Sequence, residues 1–336
     1  MSDTPQQRLD AWNASRFRPG MTDGLYESYF LRANHPEKPL AFWIRYTIFC
    51  PQGRPDQAQG ELWAIWFDGE AQQVVAVKES RPIAECSFSA ERLDARIGDA
   101  TLTEGALAGR AASASHAVSW RLTFAGGEAP LLLLPKSLYA SGFPKAKALV
   151  ARPNALFSGV ISVDGREIAL SGWRGSQNHN WGSRHTDRYV WGQVAGFDNA
   201  PEAFLECATA QVRLGPLWTP KLTLLVLRDE GEEIALNGLW RAARAHGDYD
   251  FFTWTLDSRG PQARLHGRIA APASAFVGLN YLNPPGGSKT CLNTKLATAE
   301  FILERPGRPA KTFVTRSRAA FEILTDRRDH GVRVVA

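Results

Sequence analysis

Residues 171–185 read Ser-Gly-Trp-Arg-Gly-Ser-Gln-Asn-His-Asn-Trp-Gly-Ser-Arg-His. A linker of Ser, Gly and Pro is cheaply solvated. Two Trp, two His, two Arg and the pair Gln177–Asn178 are not, so this stretch reads as a shaped polar site at a junction between two β units. In an extended backbone His179 and Trp181 project to one side and Asn180 to the other. An imidazole beside an indole can donate or accept a proton near neutral pH. His179 is therefore a candidate proton carrier and Trp181 its aromatic neighbour. The plain alternative is a structural His bonded to a backbone carbonyl.

Glu206 lies within an apolar strand, on the same side as Phe204. A carboxyl there either pairs with an Arg or is kept protonated by desolvation and serves as an acid. Asp198, before Asn199-Ala200-Pro201, is most simply a turn residue. Tyr189 and Trp191 share one side of the strand after the polar stretch. Gln177, Asn178, Tyr189, Trp191 and Phe204 are candidate ligand contacts. Tyr281 and Asn293, around Pro284-Pro285-Gly286-Gly287, join them, unless the face of Cys291, Asn293 and Lys295 meets solvent. Arg45, on an aromatic strand face, is either a snorkelling charge or the partner of an acid such as Glu27.

No metal site is expected. His179 and His185 are too far apart for one helical face, and Cys50, Cys86, Cys207 and Cys291 form no C-x-x-C. No G-x-G-x-x-G, G-x-x-x-x-G-K or G-x-S-x-G occurs. No cofactor is expected either.

The elements that must position these groups read as strands. Leu25–Arg32, Leu40–Phe49, Glu61–Phe67 and Gln73–Lys78 alternate and are rich in aromatic and β-branched residues. Asp68-Gly69 and Asp164-Gly165 are hairpin turns. Short strands recur after residue 188, while residues up to Gly20 read as an irregular lead-in. The tail Ser317–Arg333 reads as one helix or a last strand pair. Almost no segment holds a 3.6-residue period. The expected fold is all-β, with few helices and two tandem antiparallel barrels or sandwiches, residues 1–175 and 176–336.

The net charge of +5 is spread thinly, which argues against nucleic-acid binding. The N-terminus lacks an apolar signal core, and no stretch approaches the roughly 18 apolar residues of a membrane span. A cytoplasmic protein is expected, with a peripheral membrane contact left open and the oligomeric state unassigned. Eleven Trp against two Met suit sites with an apolar body and one wet end.

Tyr26-Glu27-Ser28-Tyr29-Phe30 with Asn34-His35-Pro36, then Ala41-Phe42-Trp43-Ile44-Arg45-Tyr46 and Leu62-Trp63-Ala64-Ile65-Trp66-Phe67, resemble the opening of the lipocalin-like proteins related to carotenoid 1,2-hydratase and tocopherol cyclase. Gln177-Asn178-His179-Asn180-Trp181-Gly182 with Tyr189-Val190-Trp191 is similar to that family's central signature. The resemblance implies two lipocalin-like barrels, a site near their interface, and cofactor-free hydration, cyclisation or isomerisation of a large apolar substrate, isoprenoid or polyketide-like. In the hydratases a His-x-Trp pair works with a Tyr-x-Asp pair. His179-x-Trp181 matches the first, and Phe204-x-Glu206 departs from the second at both positions. The expected enzyme would protonate its substrate from Glu206 or His179, with Trp181 and Trp191 facing a carbocation. The alternative is a carrier or sensor of lipid-like molecules that does no chemistry.

Overall fold

The computed structural model describes residues 4–335. Two antiparallel sheets dominate, one of 12 strands and one of 10, with two α-helices among the described residues. Each sheet curls into a near-closed barrel, giving the tandem lipocalin-like all-β architecture. The first sheet carries the strand Arg166–Gly182 beside Leu25–Asn34, in its middle. The second starts at Arg188, after the short link of residues 183–187. Position 175, expected at a junction, thus lies inside a strand. The polar stretch is the second half of a 17-residue strand, in which Arg174, Ser176, Gln177, Asn178 and His179 each find a hydrogen-bond partner.

Strand alternation sorts the residues. In Leu25–Asn34 and Leu40–Cys50, Tyr29, Leu31, Phe42, Ile44 and Tyr46 fill the first barrel with Trp66, Trp120 and Trp173. The alternate residues Phe30 and Trp43 point outward and pack with Trp63, Trp191, Tyr281 and Leu324. All ten residues of Leu25–Asn34 are buried. The strand has no solvent face, because its outer side is covered by the second barrel. The second barrel is filled separately by Trp254, Phe301, Phe313 and Phe321 with aliphatic neighbours.

Close strand approach requires glycine at position 175, where a Cβ would overlap the backbone carbonyl of Arg32. The hairpin at Asp164-Gly165 has both residues at positive φ, 51° and 87°, as a primed two-residue turn demands.

One expectation is corrected and one pair of alternatives is decided. The lead-in holds a helix, Pro5–Asn13, with a Thr4/Gln7 capping box and proline in its first turn. The T-x-x-Q spacing carried that signal. Of the two readings of the tail the strand holds: as far as residue 325 it is the second half of an 18-residue strand, Arg308–Thr325, paired with Ser288–Arg305. Its Ala320, Phe321 and Leu324 straddle both faces of a sheet that is buried on each side. The resulting apolar run has no period of two and imitates helical spacing.

Candidate active site

A cavity of about 190 Å³ opens between the outward faces of the two sheets. From the first sheet, Tyr26, Ser28 and Phe30 line it, with Trp43 and Arg45 on the next strand and Asn178 and Asn180 on the strand opposite. From the second come Tyr189, Trp191, Glu206, Tyr281 and Glu322. Leu133, Leu134, Leu138 and Phe143, from the irregular segment between Leu131 and Ala146, cover it. Phe143 and Leu239 line the mouth and are 46% and 47% exposed. A larger groove of about 810 Å³ lies elsewhere, but it is open and walled by surface groups such as Arg305 and Glu232 that pair with each other.

Glu206 is the carboxyl best placed for chemistry. Trp191 Nε1 donates to its Oε1 at 2.7 Å and Gln193 Nε2 donates to its Oε2 at 2.8 Å. No arginine touches it, and Arg32 acts through Gln193 instead. Arg32 Nε donates to Gln193 Oε1 at 2.8 Å and Ser176 Oγ donates there at 2.7 Å. The other Gln193 Nε2 proton goes to Asn178 Oδ1 at 2.9 Å. These partners fix the amide orientation, because its oxygen meets only donors and its nitrogen only acceptors. Burial pushes the Glu206 carboxyl up from 4.5 to about 7, against the opposing pull of the Trp191 and Gln193 donors and of Arg32. Burial also brings Arg32 down to about 10, with Glu206 opposing. A carboxyl poised near neutrality beside an apolar space can give or take a proton there.

A second cluster lies next to it. Lys295 Nζ donates to Glu322 Oε1 at 2.7 Å and to Asn293 Oδ1 at 2.6 Å, and Asn293 Nδ2 donates to Glu322 Oε1 at 2.9 Å. Burial lowers the Lys295 ammonium and the Glu322 charge works the other way. Lys295 also lies 5.5 Å from the Trp191 ring centre and 5.7 Å from that of Trp43.

At the other end His185 stacks on Tyr26, with centroids 3.9 Å apart. Its Nε2 lies 3.1 Å from the Leu282 carbonyl, a contact that makes this nitrogen the donor and leaves Nδ1 the lone pair. Burial first, then the Arg45 charge, drives His185 down to about 3, so it is a neutral imidazole. Burial raises the phenols of Tyr26, Tyr189 and Tyr281.

The expectation that His179 faces this cavity is corrected. Strand alternation turns Asn178 and Asn180 toward the cavity, and His179 and Trp181 the opposite way. His179 is fully buried, stacked on Tyr29 at 4.3 Å. Its Nδ1 meets the Trp12 carbonyl and its Nε2 meets Glu27 Oε1, both at 2.8 Å. Glu27 in turn accepts from Ser15 Oγ and from the backbone N–H of Arg16 and Phe17. The His179–Glu27 pair is a latch for the N-terminal segment. Trp181 packs beside it, 4.7 Å from His179 and under Arg16. Gln177 exchanges two side-chain hydrogen bonds with Asn13 in the same latch.

Among the other expected contacts, Asn178, Tyr189, Trp191 and Tyr281 line the cavity. Phe204 does not, and packs with Leu131, Val150 and Leu224. Asn293 stands behind the wall, holding Glu322 and Lys295. Asp198 caps a turn, accepting from Thr315 Oγ1 and the Arg316 N–H. Arg45 has no contact with Glu27. Arg32, Gln193 and Glu322 escaped the sequence reading as site residues. Arg32 continues the outward row Tyr26, Ser28, Phe30, and a charge ending such a row was the available signal. Glu322 was hidden by the helical spacing of the tail.

Among the described residues no group of three or more His, Cys, Asp or Glu is placed to hold a metal ion. No helix among them is long and apolar enough to cross a membrane. All four cysteines are free, and Cys207 and Cys291 are buried in strands.

No family model matches this chain. In sequence it is similar to an uncharacterized protein of Mycobacterium tuberculosis, found in two strains, with 25% identity over 295 residues, 85% of this chain and 82% of the relative. Three solved structures share its fold. A protein described as AttH from Nitrosomonas europaea matches with a TM-score of 0.56 and 13% identity, over 93% of this chain and 97% of that one. Kievitone hydratase from Nectria haematococca matches with a TM-score of 0.55 and 12% identity, over 90% and 89%. CghA, solved with Sch210972, matches with a TM-score of 0.52 and 12% identity, over 96% of each chain. At these identities the likeness is one of fold: this chain has the paired lipocalin-like barrel architecture of those proteins.

Proposed function

We propose that this chain is an enzyme working without a bound cofactor. It carries out acid- or base-assisted hydration, cyclisation or isomerisation of a large apolar substrate in the cavity between its barrels. The observation that supports this reading best is Glu206, a buried carboxyl anchored by Trp191 and Gln193 and opening onto a largely apolar space. One of the structural relatives is in keeping with it by its name, a hydratase. The isoprenoid or polyketide-like nature of the substrate is part of the proposal. Hydration of the carotenoid type is one member of the class, but the paired acid of that family is not reproduced here. His179 and Trp181 face away from the cavity and Phe204 lies behind its wall.

Glu206 supplies the proton. Gln193, set by Arg32 and Ser176, holds the carboxyl in position. The aromatic walls exclude water and orient the substrate. A cavity of about 190 Å³ is only a little larger than one that accepts benzene. A larger substrate therefore enters by displacing the cover around Leu133–Phe143.

The test is turnover of candidate substrates in deuterium oxide, followed by mass spectrometry. The wild-type product should carry one solvent deuterium. Glu206→Gln should lose on the order of 100-fold or more in kcat, the usual worth of a positioned proton donor. With Glu206 as the acid, the wild-type rate should fall as pH rises through about 7, where the carboxyl ionises. Undiminished turnover by Glu206→Gln removes that role. A ligand recovered unchanged from both proteins points to carriage, the reading that the enclosed apolar walls also suit.

A further inference from the structure

Arg45 is buried, only 6% exposed, and lines the cavity. Its guanidinium carbon lies 4.6 Å from the Tyr281 ring centre and 5.9 Å from that of Trp43. Its Nε has no hydrogen-bond partner. No carboxylate among the described residues pairs with it, and each nearby acid is already engaged. Glu61 binds Lys78 and Trp63 Nε1, Glu322 binds Lys295 and Asn293, and Glu27 binds His179. Burial works against the Arg45 charge, Glu61 and Glu322 favour it only through space, and leaving its Nε donor unmet adds a cost that a directly bound anion would remove.

Two further buried groups on the same wall are unmet, Ser28 Oγ and Trp43 Nε1. Three donors from adjacent strands thus have no acceptor, and all belong to residues lining one cavity. The charges around it agree. Arg45 and Lys147 line the cavity with two carboxyls, Glu206 and Glu322; Glu322 is held from behind by Lys295, and burial favours the neutral form of Glu206. The lining therefore carries an excess of positive charge. Tyr26, Tyr281 and His185, packed around Arg45, are neutral and do not relieve it.

We propose that the cavity takes an amphiphilic anion, an apolar body with a carboxylate, enolate or phenolate head, and that Arg45, Ser28 and Trp43 hold that head. The proposal rests on the reading of this cavity as the ligand site and narrows its substrate class. The head lies on the Arg45 wall, and the body reaches under Leu133, Leu138 and Leu224. A planar guanidinium stacked on aromatic rings presents its N–H edge to an oxyanion, a geometry lysine does not reproduce. The same charges disfavour a free carbocation beside Trp43 and Trp191, whose rings already lie near the Lys295 ammonium. They favour an intermediate whose negative charge rests on oxygen.

Binding of matched probes tests this: decanoate against decanol, and naphthylacetate against naphthylethanol, titrated by calorimetry into the full chain. Wild type should prefer each acid over its alcohol by about 10-fold or more, the range of a charge-assisted hydrogen bond. Arg45→Met should reduce that preference to within about twofold while still binding the alcohols, which shows that the cavity is intact. Arg45→Lys should fall between the two. If Arg45→Met does not fold, Arg45→Lys and Ser28→Ala, each lowering the preference, carry the test. Equal binding of acid and alcohol by wild type, or a preference unchanged in the Arg45 variants, overturns the proposal and leaves the cavity as a ligand site. Failure of all four probes to bind wild type overturns both.

Discussion

At position 206 a carboxyl meets the two conditions for acid–base work that a sequence cannot display together: loss of water and retention of donors. Burial raises it to about 7, whereas an unfolded chain returns it to about 4.5. A carboxyl raised in the folded state contributes its stability in full below about 4.5 and loses it as pH climbs through about 7. That gap corresponds to about 3 kcal/mol. Glu206→Gln has no such titration. Its stability relative to wild type, read by urea denaturation at pH 5 and pH 8, should improve by roughly 2–3 kcal/mol at the higher pH. An unchanged difference would mean that the carboxyl titrates normally. The identity of this residue as a candidate was legible, because an acid among apolar strand neighbours is conspicuous. Its partners were not. Gln193 and Arg32 are ordinary polar residues on strands far apart in the chain, and only the meeting of the barrels joins them.

The strand Arg166–Gly182 is the element that divides the two uses of the central polar stretch. Its even-numbered residues Ser176, Asn178 and Asn180 turn toward the second barrel, and its odd-numbered Gln177, His179 and Trp181 hold the N-terminal segment. Both faces are buried, so neither residue type nor spacing reveals which faces the ligand, and a one-residue choice exchanges the roles. The position of the strand depends on close contact at Gly175, paired with Ala33 on one side and Ala155 on the other. Gly175→Ala drives a methyl into the backbone of Arg32, which cannot yield without breaking the ladder. The expected cost is on the order of 3 kcal/mol, in the range of overpacking within a full core. The midpoint of thermal unfolding checks it. A midpoint within a degree of wild type would show that the two strands can separate locally.

At the scale of the molecule, the barrels are joined by more than a link. Phe30, Trp43 and Trp63 interlock with Trp191 and Tyr281, and Arg32 reaches Gln193 across the boundary. At the rim Arg174 pairs with Glu202, and Arg228 with Glu128. With an apolar interface of this kind neither half has a soluble face to present alone. Calorimetry should therefore show one transition, with calorimetric and van't Hoff enthalpies equal. Two resolved transitions would mean that each barrel is stable without the other. The sequence alone determined the fold class, because alternation within strands and Asp-Gly turns are local and survive in a linear reading. It also exposed the wealth of aromatic residues and several cavity residues, among them Glu206, Trp191 and Tyr281. The tertiary structure decided which face of each strand meets the ligand. It turned His179 into a latch and left Arg45 without an anion. Side-chain direction repeats every two residues, and when both sides of a strand are buried, only the packing of the second barrel distinguishes them.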